Sequence, residues 1–135
     1  MFGSFDISAS ALTAQRVRIE TIASNMANVG SVGKFDVELG RNIPYHRQVV
    51  EFQPVHLGDG RVGVGVSEVR HETGEIKLPK PGSKYADKNG FVYYPDIDLA
   101  SETVDAMEAK QAYEANITAI ETTKAMMNAT LRIMA

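Results

Sequence analysis

Two long arms free of helix breakers, set around a middle rich in glycine and proline, predict an α+β chain. Its N- and C-terminal helices should pack as a coiled-coil-like pair, with a small β-rich domain between them. Three observations carry this expectation. All five prolines and ten of the eleven glycines fall between Gly30 and Pro95, so residues 4–29 and 96–135 contain neither. Apolar residues recur every seven positions in both arms. The middle consists of short runs of β-forming residues divided by turn residues. At 135 residues and 44% hydrophobic, the chain has material for one modest core and not two.

The front arm predicts a helix over residues 4–29. Phe5, Leu12, Ile19 and Met26 form the seven-residue stripe, and Ile22 and Val29 follow the last two at a spacing of three. Ser4 is placed to cap the start, and Gly30 to supply a left-handed residue at the end. In the middle, Val49 to Phe52 reads as strand. Val62, Val64 and Val66 alternate, and Val69 continues them only after a phase slip. Gly58-Asp59-Gly60 between these runs is a hairpin turn. Phe91 to Tyr94 is a further strand, while Leu78 to Lys84 reads as an extended exposed loop and Asp87 to Gly90 as a turn. In the rear arm Ala106, Tyr113, Ile120, Met127 and Met134 repeat every seven residues, flanked one position earlier by Ala112, Ala119, Met126 and Ile133. Asp98 or Ser101 is the expected N-cap after Pro95, and Arg132 suits the negative pole at the helix end. Residues 1–30 and 97–135 therefore form one discontinuous helical domain and 31–96 a small β-rich one.

Charge and composition remove several function classes. The formal net charge is -3, without the basic footprint that nucleic-acid binding needs. With no cysteine, disulfides, thiolate catalysis and zinc or iron–sulfur sites built on thiolates are excluded. No apolar run approaches the length of a bilayer-spanning helix, so direct membrane insertion is not expected. The start of the chain lacks the basic and apolar regions of a cleavable signal peptide.

Catalytic chemistry finds little support. Gly58 to Gly63 spells G-x-G-x-x-G, but Val64 to Ser67 continues as strand where a dinucleotide loop needs a helix, so the glycines read as a hairpin. His46, His56 and His71 lie ten and fifteen residues apart, without ligand spacing, and read as surface or strand-face histidines. Glu72 and Glu75 flank Gly74 in a polar turn, where a solvated surface accounts for both. Ser8, Ser10 and Ser24 lie in the front helix without a histidine seam. The sequons at Asn116 and Asn128 fall inside the rear helix and are assigned no modification. No catalytic group, cofactor or metal is expected. Polar amides on the seams are a separate feature: Asn25, Asn28 and Asn116 either cap helix ends and face water, or pair to fix the register and partner of a helix assembly.

Phe5-Asp6-Ile7-Ser8-Ala9-Ser10-Ala11-Leu12-Thr13-Ala14-Gln15-Arg16 and Ile22-Ala23-Ser24-Asn25-Met26-Ala27-Asn28-Val29 resemble the N-terminal signature of the bacterial flagellar axial proteins, the rod, hook and hook-associated subunits. Pro44 to Phe52, the Gly-Val strand to Val69, Gly90 to Pro95, and Ala112-Tyr113-Glu114-Ala115-Asn116-Ile117 with Lys124-Ala125-Met126-Met127 narrow the likeness to the short rod subunits of the proximal rod. The sequence departs from that pattern at Val29 to Phe35 and at Glu72 to Lys77.

The resemblance implies a structural, non-enzymatic subunit of the basal-body rod, exported unfolded by the flagellar type III apparatus and polymerising in the periplasm. The terminal helices would form an inner axial layer that transmits torque, and the β middle an outer one. Implied partners are further copies of the chain, the rod proteins FlgB, FlgF and FlgG, the MS ring and its adaptor FliE. The assembly interface would comprise Phe5, Leu12, Ile19, Ile22, Asn25, Met26, Asn28, Ala106, Tyr113, Asn116, Ile120, Met126, Met127, Ile133 and Met134. A FlgB-like short rod subunit is the neighbouring reading. From another class, a periplasmic binding module would instead be a stable monomer with one ligand pocket.

Overall fold

The computed structural model describes residues 2–135. Helix α1 (Phe2–Ala27) is followed by strands β1 (Lys34–Asp36), β2 (Arg41–Ile43), β3 (Gln48–Gly58), β4 (Arg61–His71), β5 (Glu75–Pro79) and β6 (Phe91–Pro95), and the chain closes with helix α2 (Leu99–Met134). The strands make three separate antiparallel pairs, β1–β2, β3–β4 and β5–β6. The predicted class, two long terminal helices around small antiparallel strand pairs, is the observed one.

The helices run antiparallel. Asn25, near the end of α1, meets Glu102 at the start of α2, while Phe2 and Phe5 lie beside Ile120, Lys124 and Met127. At ~1.5 Å per residue α1 is roughly 39 Å long and α2 roughly 54 Å, so the last turns of α2 overhang its partner. Asp98 caps α2 by accepting from the Ala100 amide at 3.1 Å, and the Ser101 hydroxyl donates to its other oxygen at 2.8 Å. The bond from Ser101 and that from the Ala100 amide hold the Asp98 carboxyl below its ordinary pKa.

The ends of α1 differ from expectation. The helix already includes Phe2, so Ser4 is an interior residue and not a cap. At the other end the Asn28 side-chain amide donates to the Ser24 carbonyl at 2.8 Å and serves one of the open carbonyls of the last turn. The left-handed residue comes later than predicted, at Gly33 with φ 64°, where a Cβ would overlap the Ile43 carbonyl.

The β3–β4 hairpin is the second support of α1. Eleven residues at ~3.3 Å span about 36 Å, close to the length of α1. The hairpin runs back along the helix, from Gln48 at Asn25 to Arg61, whose guanidinium donates to Asp6. Its turn is the predicted one, with positive φ at both Asp59 (51°) and Gly60 (75°). The phase slip before Val69 is a β-bulge: Glu51 pairs with Glu68 and Phe52 with Val66, leaving Ser67 as the extra residue, its hydroxyl donating to the Glu51 carbonyl at 3.1 Å. Gly63 permits close approach, because a Cβ there would enter the Ser10 hydroxyl that accepts from the Val64 amide.

Three short strands escaped the sequence reading. The segment from Leu78 is not wholly loop: Glu75–Pro79 forms β5, paired with β6 from Glu75↔Pro95 to Pro79↔Phe91. Strands β1 and β2 are three residues each, too short for a periodicity to register, and Asp36 turns the chain between them by accepting from the amides of Glu38 and Leu39.

Candidate assembly interface

The foot of the helix pair is tied to the strands by a buried polar cluster. Asn25 accepts from the Tyr45 hydroxyl and the Gln48 amide, both at 2.9 Å, and donates to the Gln48 carbonyl at 2.8 Å and to Glu102 at 3.4 Å. Glu102, only 1% exposed, also accepts from the Arg47 Nε. Arg47 reaches Glu72 and Asp105 as well. Asn25 is thus a junction within one chain, joining α1, β3 and α2. Asn28 and Asn116 bond locally, the latter to the Ala112 carbonyl at 2.9 Å.

A second cluster fixes the β5–β6 pair. Glu75 accepts from Arg41 at 2.8 Å and from His46 at 3.0 Å, and the Arg41 guanidinium stacks 4.2 Å from the Tyr93 ring centroid. Burial pushes the Glu75 carboxyl up, but the bonds from His46 and Arg41 outweigh it and hold the pKa below its ordinary value. The solvated-turn reading of Glu72 and Glu75 is therefore corrected: both are paired, because the chain folds Arg41, His46 and Arg47 onto that turn. Asn42, fully buried, completes the junction by donating to the Val32 and Tyr93 carbonyls at 2.7 Å and accepting from the Tyr93 amide at 2.9 Å.

The helix pair itself buries a different line of α2 from the one its hydrophobicity suggests. Glu102, Ala109 and Thr123 are the buried residues of α2, and Asn116 of the same seven-residue series is half-buried. The predicted stripe Ala106, Tyr113, Ile120 and Met127 lies beside that line and is half-buried. Of the flank, Ala112 is half-buried while Ala119, Met126 and Ile133 are exposed, and the last member of the stripe, Met134, is exposed as well. A step of one residue rotates 100° around a helix, whereas a step of three or four stays on the same face. On α1, Ile22 and Asn25 are buried, Leu12, Ile19, Met26 and Asn28 half-buried, and Phe5 exposed.

What remains open is apolar. Phe2, Phe5, Ile120, Lys124 and Met127 line a groove of about 400 Å³ near the free end of the pair. Beyond it Leu131 is exposed, as are Ile133 at 85% and Met134 at 79%. On the outer side of α2, Val104, Met107, Gln111, Ala115, Thr118, Thr122, Met126, Ala129 and Ile133 recur every three or four residues, all exposed and all uncharged. Among the described residues five apolar side chains are buried and twenty large ones are exposed, which is far from the economy of a self-sufficient domain.

The comparisons with known proteins bear on the same two ends. Residues 5–33 match the model of the flagella basal body rod protein family, and residues 88–133 that of the flagellar basal body rod FlgEFG protein C-terminal family. The chain is 39% identical over 132 residues to the flagellar basal-body rod protein FlgC of Salmonella typhimurium, covering 96% of this chain and 94% of the relative. The chain belongs to the FlgC family of flagellar basal-body rod proteins. FlgC of Aquifex aeolicus is similar at 39% identity over 132 residues, with 96% and 94% coverage. FlgC of Bacillus subtilis is 35% identical over 146 residues, covering 98% of this chain and 97% of its own length. The family is structural, and it places the chain in the flagellar basal body. FlgC relatives match nearly end to end, so the β3–β4 hairpin and the overhanging α2 fall within the shared length.

Proposed function

We propose that this structural rod subunit polymerises in the proximal rod through the free surfaces of its helix pair and carries torque along it. One quantity supports the reading above others. The chain exposes 8791 Å², about 1,900 Å² more than the roughly 6,900 Å² expected of a compact monomer of 14.7 kDa. That excess is on the order of the ~1,600 Å² a standard protein interface removes from water. The free surface of the helix pair includes the uncharged outer stripe of α2 and the apolar overhang, where Val104, Met107, Met126, Leu131, Ile133 and Met134 are all exposed.

In this reading the helical unit, residues 1–30 and 97–135, faces the rod axis. Residues 31–96 form the outer unit, with β3–β4 seated along α1. Copies of the chain and neighbouring rod proteins such as FlgB, FlgF and FlgG cover the stripe, and the MS ring and FliE lie next to the assembled base. The subunit acts without catalysis or cofactor, and travels unfolded through the type III apparatus to the periplasm. Its assembly surface includes Phe5, Ile120, Met126, Met127, Ile133 and Met134, while Ile22 and Asn25 serve by shaping the helix pair.

Met126→Asp and Ile133→Asp test the reading, since both positions are exposed and tolerate charge in the monomer. The expected result is a folded, secreted subunit that builds no rod and a cell that does not swim. Normal swimming and intact rods with both substitutions present would overturn it.

A further inference from the structure

The turn joining β1 to β2 presents apolar side chains to solvent in a fixed shape. Val37 is 85% exposed and Leu39 is 63% exposed, with Glu38 between them. The tip is ordered in advance: the Asp36 carboxylate accepts from the amides of Glu38 and Leu39 at 2.8 and 3.1 Å, and Gly40 closes the turn with φ 66°. No core of this chain takes up Val37 or Leu39. An ordered, exposed tip with two aliphatic side chains around a carboxylate can act as a plug.

The matching socket lies at the other end of the same molecule. The groove of Phe2, Phe5, Ile120, Lys124 and Met127 is concave and apolar, and its single charge is the exposed ammonium of Lys124. Among the described residues neither Glu38 nor Lys124 enters an ion pair. The tip follows the end of α1 and sits by the Asp87 to Asn89 turn, whereas the groove is built on the first turns of α1, one helix length of ~39 Å away. Plug and socket on opposite ends cannot satisfy each other within one chain.

We propose that the Val37-Glu38-Leu39 tip of one subunit docks in the Phe2, Phe5, Ile120, Lys124 and Met127 groove of a second copy, with Glu38 against Lys124. The contact is heterologous: each copy offers its tip to the next and receives one in its groove, so it propagates along the polymer and does not close on a dimer. It rests on the reading of the chain as a polymerising rod subunit and adds to it which two surfaces meet. Apolar insertion supplies the affinity, and the single charge pair sets register and excludes other partners.

The chain's lack of cysteine makes the test clean. Cells carrying Val37→Cys together with Met127→Cys are treated with a short bis-maleimide, and isolated basal bodies are resolved by denaturing electrophoresis. The expected result is a ladder of covalent multimers from the double variant, a dimer only when the two single variants are co-assembled, and none from either single variant alone. Swimming cells whose basal bodies yield no such product would overturn the docking while leaving the rod reading intact. A product joining Val37→Cys only to a different rod protein would also overturn it. In a second arm, Glu38→Lys and Lys124→Glu should each reduce swimming at least tenfold, and the charge-exchanged pair should restore it. Full swimming of either single variant, or no restoration in the pair, would overturn the proposed register.

Discussion

Arg47 and Glu102 form an ion pair across 55 residues of sequence, joining the foot of β3 to the first turn of α2, with the carboxylate side chain 1% exposed and the guanidinium 25% exposed. The pair decides where the rear helix begins relative to the strands, so the geometry of both long elements depends on it.

Removing only the cation should be costly. Arg47→Ala leaves the Glu102 carboxylate buried with a single amide partner, and breaking a buried pair in this way costs about 3–5 kcal/mol. Arg47→Ala combined with Glu102→Leu should recover a large part of that loss, since it removes the uncompensated charge. Urea unfolding of the purified subunit measures both, and an Arg47→Ala loss below about 1 kcal/mol would contradict the assignment.

Asn25 serves both the amide and the carbonyl of Gln48. Asn25→Leu keeps the volume but strands the amide and carbonyl of Gln48, at roughly 1–3 kcal/mol for each group left unsatisfied, while the Tyr45 hydroxyl keeps the Ser24 hydroxyl as a partner. Asn25→Asp should be worse at neutral pH, because it sets a second carboxylate beside Glu102. Unlike Asn25→Leu, its deficit should shrink on acidification, a difference that thermal melts at pH 7 and pH 5 would reveal.

The Glu75 cluster predicts a particular acid sensitivity. Its folded pKa lies below the ordinary 4.5, so the folded state holds its proton less readily than the unfolded one. The stabilisation is complete above about pH 4.5 and is lost as pH falls through the depressed folded value. Glu75→Gln should therefore be less stable than the parent at neutral pH, and the gap should narrow as pH falls below the ordinary 4.5 and close once pH is below the depressed folded value. A parent and variant with parallel stability curves from pH 7 to pH 3 would exclude this role.

The overhang of α2 should be the least protected helix in the isolated subunit. Beyond Met127 every side chain of it is exposed, and an isolated helical end of this length is marginal in water. Hydrogen exchange should be fast for residues 128–134 and slow around Ala109 in the monomer, and the two regions should become alike in assembled rods. Equal protection in the monomer would mean that the overhang is stable alone.

Much of this architecture was legible in the residues. Glycine and proline placement located both helices, Gly58-Asp59-Gly60 located the long hairpin, and the phase slip before Val69 marked the bulge at Ser67. The buried line of α2 was not legible by hydrophobicity because it is made of Glu102, Ala109, Asn116 and Thr123, residues chosen for small size or for hydrogen bonds at a close helix contact. Asn42 and Glu102 gave no local signal either: their partners lie 51 and 55 residues away, and only the fold brings them together. Met126 lies outside the seam although Met127 lines it, because one residue rotates about 100° around a helix and the apolar character of the pair does not say which of the two faces inward.

The β3–β4 hairpin and α1 are nearly equal in length and run side by side, with α2 continuing past both. Mechanically this is a laminated beam ending in a single-strut cantilever. Over the laminated span, bending or twisting one element requires its neighbours to slide, so deformation is stiff and shared. Past Met127 no neighbouring element among the described residues of the same chain shares the load, so that last stretch is where the subunit yields most readily. The compliance of a stack of such subunits would then be set at the joints between them, and the stiffness of the whole by how tightly each joint grips the free end.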